Sequence, residues 1–170
     1  ICAKVRHELT EAKSCGHQSF VPRENSRRQE QEWIVMIFDS HTHLNAEQFK
    51  GEEAAVVKRA QELGVTKMAV VGFDAATIAK TLELNQQFPG VYSIIGWHPP
   101  EAGSYTKAVE KQLEQQLTLP KVVAYGEIGL DYHWMEDPQD VQERVFRRQI
   151  AIAKEHGLPI SIHMREATED

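Results

Sequence analysis

The sequence has little that would indicate a membrane or secreted protein. No stretch approaches the roughly 20 apolar residues needed to cross a bilayer, and no apolar signal-peptide core follows the first residues. Only two cysteines are present, Cys2 and Cys15, and this favours free thiols in a reducing compartment over a single disulfide. We therefore predict a soluble, cytoplasmic protein that has no membrane partner.

Positive charge is also scarce, because 19 Lys and Arg residues stand against 25 Asp and Glu residues, for a net charge of −6. This balance argues against a broad basic surface for nucleic acid. It does not exclude a nuclease, since bound divalent cations can supply positive potential where a phosphate binds.

The first 35 residues lack the periodicity of the rest of the chain. They include Pro22 and a polar run from Arg23 to Glu32, with no sustained period of 2 or 3.6 residues. We interpret residues 1–35 as an N-terminal extension, either disordered or an artefact of an extended gene prediction, and Met36 as the natural initiator. Sequencing of the native N-terminus tests this hypothesis, which a protein beginning at Ile1 would refute.

From Met36 onward, apolar runs alternate with helical patterns. Strands are predicted at 36–40, 67–71, 91–96, 122–127 and 158–163, and helices at 52–63, 75–88, 106–117 and 138–156. Short strands that are apolar on both faces are typical of parallel strands covered by helices, so the pattern predicts an α/β fold. No G-x-G-x-x-G turn follows the first strand, which disfavours a dinucleotide-binding fold. Periodicity alone does not separate an open doubly wound sheet from a (β/α)8 barrel.

Polar side chains follow four of the predicted strands at or near their carboxyl ends. They are His41, His43, His98, Glu127, His163 and Arg165. Residues two apart in extended backbone point the same way, so His41 and His43 can bind one ion. Barrel enzymes build their active sites where the carboxyl ends of the strands meet, and the convergence of these side chains predicts a catalytic or metal site there.

Other interpretations of single residues stay open. A His-x-His pair is also found as an ordinary surface pair, and His98 beside two prolines can shape a turn. Trp97 and Trp134 are candidates either for stacking on bases or for packing at a barrel rim. The remaining histidines are assigned to solvent or local capping, namely His7, His17, His133 and His156.

Four motifs resemble the TatD family of metal-dependent hydrolases in order and spacing. They are Asp39-Ser40-His41-Thr42-His43, Gly96-Trp97-His98-Pro99, Gly126-Glu127-Ile128-Gly129-Leu130-Asp131-Tyr132, and Leu158-Pro159-Ile160 leading to His163-Met164-Arg165-Glu166-Ala167. The resemblance covers residues 36–170. It implies a TIM-type (β/α)8 barrel with only about the first five β/α units present, and a deoxyribonuclease activity.

The resemblance also implies roles for the residues. His41 and His43 would hold one divalent metal ion, Glu127 would bridge two ions as the catalytic carboxylate, and His163 would bind the second. His98 and Arg165 would bind substrate phosphate. Mg, Mn, Zn and Co all suit such ligands. For the full-length protein, the resemblance implies a 3′–5′ exonuclease acting on single-stranded DNA or 3′ ends.

The sequence departs from the family pattern at its C-terminus. Family members carry a further metal-binding histidine on strand six and an aspartate on strand eight, whereas this sequence ends at Asp170. We therefore interpret it as the N-terminal part of a truncated barrel and expect little activity from it alone. Two alternatives stay open: an inactive fragment that binds metal, and an amidohydrolase-like enzyme that cleaves C–N or lactone bonds. Lys121 lies at the wrong end of strand four for a metal-bridging carboxylated lysine, which favours the phosphodiesterase.

Overall fold

The computed structural model describes residues 36–170, and the extension predicted at residues 1–35 lies outside them. The strands are β1 (Ile37–Thr42), β2 (Val65–Gly72), β3 (Val91–Ile95), β4 (Val122–Asp131) and β5 (Ile160–Arg165). The helices are α1 (Glu53–Glu62), α2 (Ala75–Gln87), α3 (Lys107–Leu117) and α4 (Gln139–Glu155). Short 3-10 helices occupy Glu47–Phe49 and Pro99–Ser104. The alternation confirms the predicted α/β fold.

The order of the strands decides between the two sheet types. All neighbouring strands are parallel, and the described sheet runs β1-β2-β3-β4-β5 in sequence order. A doubly wound sheet reverses direction at a switch point, whereas a barrel adds each strand on the same side. The sequential order is that of the first five units of a (β/α)8 barrel. In the part of the chain that the structure describes, β1 and β5 are the edge strands.

Local sequence explains where the second helix begins and ends. The Asp74 carboxylate accepts the backbone N–H of Thr77 at 2.7 Å, and the Thr77 hydroxyl accepts the N–H of Asp74 at 3.0 Å. This capping box satisfies two of the free amides at the start of α2. The helix ends just before Pro89, which cannot continue the helical hydrogen bonding. Asp74 is therefore the N-cap of α2.

The predicted ends of strands four and five were wrong. The fourth strand continues to Asp131 instead of ending at Glu127, and the fifth continues to Arg165 instead of ending at His163. Glycine allows the longer pairing, because a Cβ on Gly126 would lie 2.6 Å from Ser161 and one on Gly129 would lie 2.0 Å from the His163 carbonyl. Glu127 and His163 therefore lie inside strands rather than at their ends.

The core lies mainly between the helices and the outer face of the sheet. One buried cluster joins α2, α3 and α4 to the sheet and includes Ile78, Ile95, Leu113, Tyr125 and Ile152. The second packs α1 and α2 against β2 and β3. A small cluster of Ala69, Val71, Ile94 and Ala124 fills part of the other face. No helix among the described residues is long and apolar enough to cross a membrane, and the cytoplasmic location stays a prediction.

Candidate metal centre

The two histidines of β1 and the loop after it meet the carboxylate of β4. The Nε2 atoms of His41 and His43 lie 3.3 Å apart, and His41 Nε2 lies 3.5 Å from Glu127 Oε2. The Ser161 hydroxyl lies 3.3 Å from His41 Nδ1. One donor atom from each of His41, His43 and Glu127 falls within 4.8 Å of the others, a spacing that suits a single ion.

A second group of donors shares the same carboxylate. Glu127 Oε1 lies 3.1 Å from His163 Nδ1, and the His98 ring packs edge-on against the His163 ring with centroids 4.4 Å apart. Donor atoms of His98, Glu127 and His163 again lie within 4.8 Å of one another. The structure therefore places His98 among the possible metal ligands, whereas the sequence analysis assigned it to substrate phosphate.

Burial keeps two of these imidazoles neutral near neutral pH. Desolvation lowers the pKa of His43, and the neighbouring His41 lowers it further. Desolvation, with help from His163, lowers the pKa of His98 to about 4. A metal ion requires the neutral form of imidazole, so both side chains are available as ligands without first losing a proton.

Glu127 and His163 shift each other's pKa in opposite directions. Burial by itself raises the pKa of Glu127, but the hydrogen bond with His163 and the electrostatic effect of the nearby His41 ring lower it overall. The hydrogen bond with Glu127 raises the pKa of His163 against the effect of burial. Glu127 is therefore ionised although it is largely buried, and the ionised carboxylate is the form that binds cations.

Asp131 is a residue of the site to which the sequence analysis gave no role. Only 1% of it is exposed, and its Oδ2 lies 2.8 Å from Nε2 of His163. Burial opposes its ionisation, but the hydrogen bonds from His163 and the backbone of Trp134 lower its pKa overall. A signal was present, because Glu127, Gly129 and Asp131 are spaced two apart and so share one face of an extended strand.

These side chains line an open cleft of about 690 Å³. Its wall includes three carboxylates, Glu127, Asp131 and Glu136, against one guanidinium, Arg165. Arg165 Nη1 lies 3.8 Å from Asp131 Oδ2, and the side chain is 47% exposed. The acidic wall would repel a polyanion, so binding of phosphate there requires cations.

Phe73, at the end of β2, packs between two of the histidines. Its ring centroid lies 5.7 Å from that of His43 and 5.6 Å from that of His98. The ring limits the orientations of both imidazoles and contributes to the burial that keeps them neutral. Sequence analysis did not single it out, and its position directly after Gly72 at a strand end was the available signal.

The structure brings together all six site residues proposed from the sequence. His43, His98, Glu127, His163 and Arg165 line the cleft, and His41 contacts Glu127 beside it. Of the two candidate stacking residues, Trp97 is buried and its indole N–H donates to the Glu101 carbonyl, whereas Trp134 lines the cleft. His133 lies at the surface, 2.8 Å from Glu166.

Comparison with known proteins gives consistent matches over the described region. The family model of TatD-related DNases matches residues 38–170. The uncharacterised metal-dependent hydrolase YabD of Bacillus subtilis is 47% identical over 135 residues, which are 79% of this chain and 53% of that protein. A protein of Musicola paradisiaca named 3′-5′ ssDNA/RNA exonuclease TatD is 38% identical over 132 residues, 77% of this chain and 50% of that one.

Solved structures agree with these matches. YjjV, a TatD homologue from Escherichia coli K12, superposes with a TM-score of 0.73 at 32% identity, over 79% of this chain and 52% of that one. A TatD-family hydrolase from Entamoeba histolytica superposes with a TM-score of 0.72 at 20% identity over 78% of this chain and 50% of that one, which supports the fold alone. The chain thus spans about half the length of the relatives it matches.

Proposed function

This chain belongs to the family of TatD-related DNases, and we propose that the whole protein hydrolyses phosphodiester bonds in DNA with the aid of two divalent metal ions. The observation that carries the proposal is the Glu127 carboxylate, whose Oε2 lies near His41 and whose Oε1 lies near His163. A carboxylate with one oxygen in each of two donor groups is the arrangement that bridges a metal pair.

The donor set fits such ions. His41, His43 and Glu127 would hold one ion, and Glu127 and His163 would contribute to the second. When bound, the two cations lower the pKa of a water molecule and offset the negative charge of the phosphate. Imidazole and carboxylate donors suit Mg, Mn, Zn or Co.

The remaining side chains bind and orient the substrate. Arg165 presents a half-exposed guanidinium that can hold two phosphate oxygens at once. His98 is a neutral imidazole and can either donate one hydrogen bond to phosphate or complete the second donor group. The Asp131 carboxylate contacts Nε2 of His163, and Nδ1 of the same ring is directed at Glu127.

Single-stranded DNA, attacked from its 3′ end, is the substrate class we propose. Relatives that share the matched half are named 3′-5′ ssDNA/RNA exonucleases. The cleft of about 690 Å³ lies within the range of roughly 300–1,000 Å³ usual for small-molecule sites. A nucleotide at a strand end fits such a space more readily than a duplex does.

The contacts and the position of Lys121 argue against the amidohydrolase alternative. Its ammonium group donates to the backbone carbonyls of Asn85 and of Phe88, the latter at 2.7 Å. Lys121 also directly precedes β4, whereas Glu127 lies within the strand and Asp131 ends it. It is therefore not available as a carboxylated bridge between metal ions.

The proposal is tested by metal binding and by nuclease activity in the same preparations. We expect the 170-residue chain to bind Mn²⁺ in calorimetry, Glu127→Gln to abolish this binding, and His156→Ala, a matched change of an exposed histidine outside the cleft, to leave it intact. With Mn²⁺ or Mg²⁺, the chain alone should shorten fluorescently labelled single-stranded DNA from its 3′ end only weakly, and chelator or His41→Ala should abolish that cleavage.

Two results would separate the alternatives. Mn²⁺ binding without DNA cleavage by folded protein would identify this chain as a metal-binding part of the enzyme, with activity confined to the longer protein. Absence of Mn²⁺ binding, or cleavage that survives Glu127→Gln, would contradict the proposed metal centre.

A further inference from the structure

One large aromatic side chain of the cleft has no part in the metal centre. Trp134 is 60% exposed and lines the same cleft as Glu127, His163 and Arg165. Trp97, by contrast, is only 7% exposed and packs in the core. A solvent-exposed indole beside charged groups leaves a large apolar face available to a ligand.

Trp134 is held in place by the turn that follows β4. Asp131 Oδ1 accepts the backbone N–H of His133 at 3.1 Å and of Trp134 at 3.3 Å. The His133 ring packs edge-on against the indole with centroids 4.9 Å apart, and its Nδ1 lies 2.8 Å from Glu166 just beyond β5. The indole is therefore braced from two strands, which reduces the entropy lost when a ligand stacks on it.

The same carboxylate links this turn to His163 of the metal centre and to Arg165, the proposed phosphate-binding residue. Oδ1 of Asp131 holds the backbone of Trp134, and its Oδ2 lies 2.8 Å from His163 Nε2 and 3.8 Å from Arg165 Nη1. The flat apolar indole of Trp134 and the cationic group of Arg165 are thus both linked to one buried side chain, Asp131. A nucleotide presents the matching pair, a flat base and an anionic phosphate.

We infer that Trp134 forms a nucleobase subsite, on which one base of a single-stranded nucleic acid stacks while its phosphate lies beside Arg165. This inference rests on the proposed function. Every base has a stacking face, so the subsite binds bases with little preference among sequences. Duplex DNA, whose bases are already stacked on one another, does not offer a free base face to the indole.

The test compares the affinities of the chain for two oligomers, an oligothymidylate of five nucleotides and an abasic oligomer of the same length and phosphate spacing. Fluorescence anisotropy in Ca²⁺ measures the binding of each oligomer to the full chain. We expect Trp134→Ala to weaken binding of the oligothymidylate by about 5- to 150-fold, the equivalent of stacking worth about 1–3 kcal/mol per base. Binding of the abasic oligomer should not change, and Trp134→Phe should retain most of the affinity.

The controls separate stacking from a disturbed turn. Met135→Ala changes an exposed neighbour in the same turn and should leave both affinities unchanged, and Trp134→Ala should bind Mn²⁺ as the wild type does. Equal oligothymidylate affinity in Trp134→Ala and wild type would overturn the subsite and leave the proposed function standing. Failure of the Mn²⁺-binding wild-type chain to bind either oligomer would overturn both.

Discussion

His163 is the residue on which the polar contacts of the site converge. Its Nδ1 lies 3.1 Å from Glu127 and its Nε2 lies 2.8 Å from Asp131. In the proposed metal-bound state, a hydrogen bond from Nε2–H to the buried Asp131 carboxylate would fix the tautomer of His163 and leave the lone pair of Nδ1 for the ion. The contact with Asp131 thus leaves Nδ1 of His163 directed toward Glu127 and the proposed metal centre.

Asp131→Asn should weaken metal binding without unfolding the protein. Loss of a carboxylate partner of a ligating histidine typically costs about 10- to 100-fold in metal affinity, and we expect a fall of that size in Mn²⁺ titration calorimetry. Glu136→Gln is the matched control, because it removes one carboxylate charge from the same cleft. An equal fall in both variants would show that only the charge of the cleft matters.

Helix α4 holds the backbone at two positions next to the site. Its two buried glutamines, Gln142 and Gln149, each exchange a pair of hydrogen bonds with one residue of the backbone. The Gln149 side chain accepts the Trp97 N–H at 2.9 Å and donates to the Trp97 carbonyl at 3.0 Å. The Gln142 side chain makes the same two hydrogen bonds with the backbone of Asp131, also at 2.9 and 3.0 Å. These hydrogen bonds attach the backbone of Trp97, next to His98, and the backbone of Asp131 to the same helix.

Gln149→Leu should destabilise the protein and disturb the site together. It leaves the buried N–H and C=O of Trp97 without partners, and each unsatisfied group costs about 1–3 kcal/mol. Urea unfolding should show a loss of about 2–6 kcal/mol for the two groups together, and Mn²⁺ affinity should fall if His98 contributes to the second ion. Gln139→Leu, an exposed change on the same helix, should have little effect on either; equal losses in the two variants would contradict this role of Gln149.

The contact between α3 and α4 should make stability depend on pH. Arg148 donates to both carboxylate oxygens of Glu110 at 2.9 Å, and these hydrogen bonds lower the pKa of Glu110. A lowered folded-state pKa stabilises the protein above the unfolded-state value of 4.5, and this contribution is lost as the pH falls through the folded-state pKa.

Glu110→Gln should therefore cost about 1 kcal/mol at pH 7, because the pair is partly exposed to solvent, and clearly less at pH 3. Urea unfolding at the two pH values measures the difference. Glu143→Gln removes a carboxylate from an exposed contact with Arg147 at 3.5 Å and serves as the control. A cost for Glu110→Gln that is the same at both pH values would contradict the assignment.

At the scale of the whole described fold, residues 36–170, β5 exposes an apolar row beside an edge that pairs with no other described strand. Ile160, Ile162 and Met164 are 38%, 57% and 55% exposed, and they alternate with Ser161, His163 and Arg165. Unpaired strand edges and exposed apolar rows both promote association between chains. This part of the described fold is therefore where self-association should begin.

Ile162→Lys should reduce that self-association. Burial of an isoleucine side chain is worth about 1.5–3 kcal/mol, so the dissociation constant for self-association should rise by about tenfold or more in sedimentation experiments. Leu63→Lys, at an exposed residue directly after α1, is the matched control for added charge. An equal effect of the two changes would indicate that net charge, and not β5, governs association.

Much of this site could be predicted from residues that are close in sequence. Spacing of two in an extended strand indicated a shared direction for His41 and His43, and the same rule was available for Glu127 and Asp131. Their contacts with His98 and His163 involve residues far apart in the chain. No local pattern gives the distance between such residues, because it depends on how neighbouring strands are aligned.

The sequence by itself determined the alternation of strands and helices, the capping of α2 and the set of polar residues near the strand ends, because these depend on local periodicity and side-chain chemistry. Tertiary structure decided the sequential strand order, the extension of β4 to Asp131 and the division of the Glu127 oxygens between two histidine groups. The extension of β4 depends on close backbone approach to β5 at Gly126 and Gly129, and the strand order and the contacts of Glu127 depend on which strands pair, which no local pattern specifies.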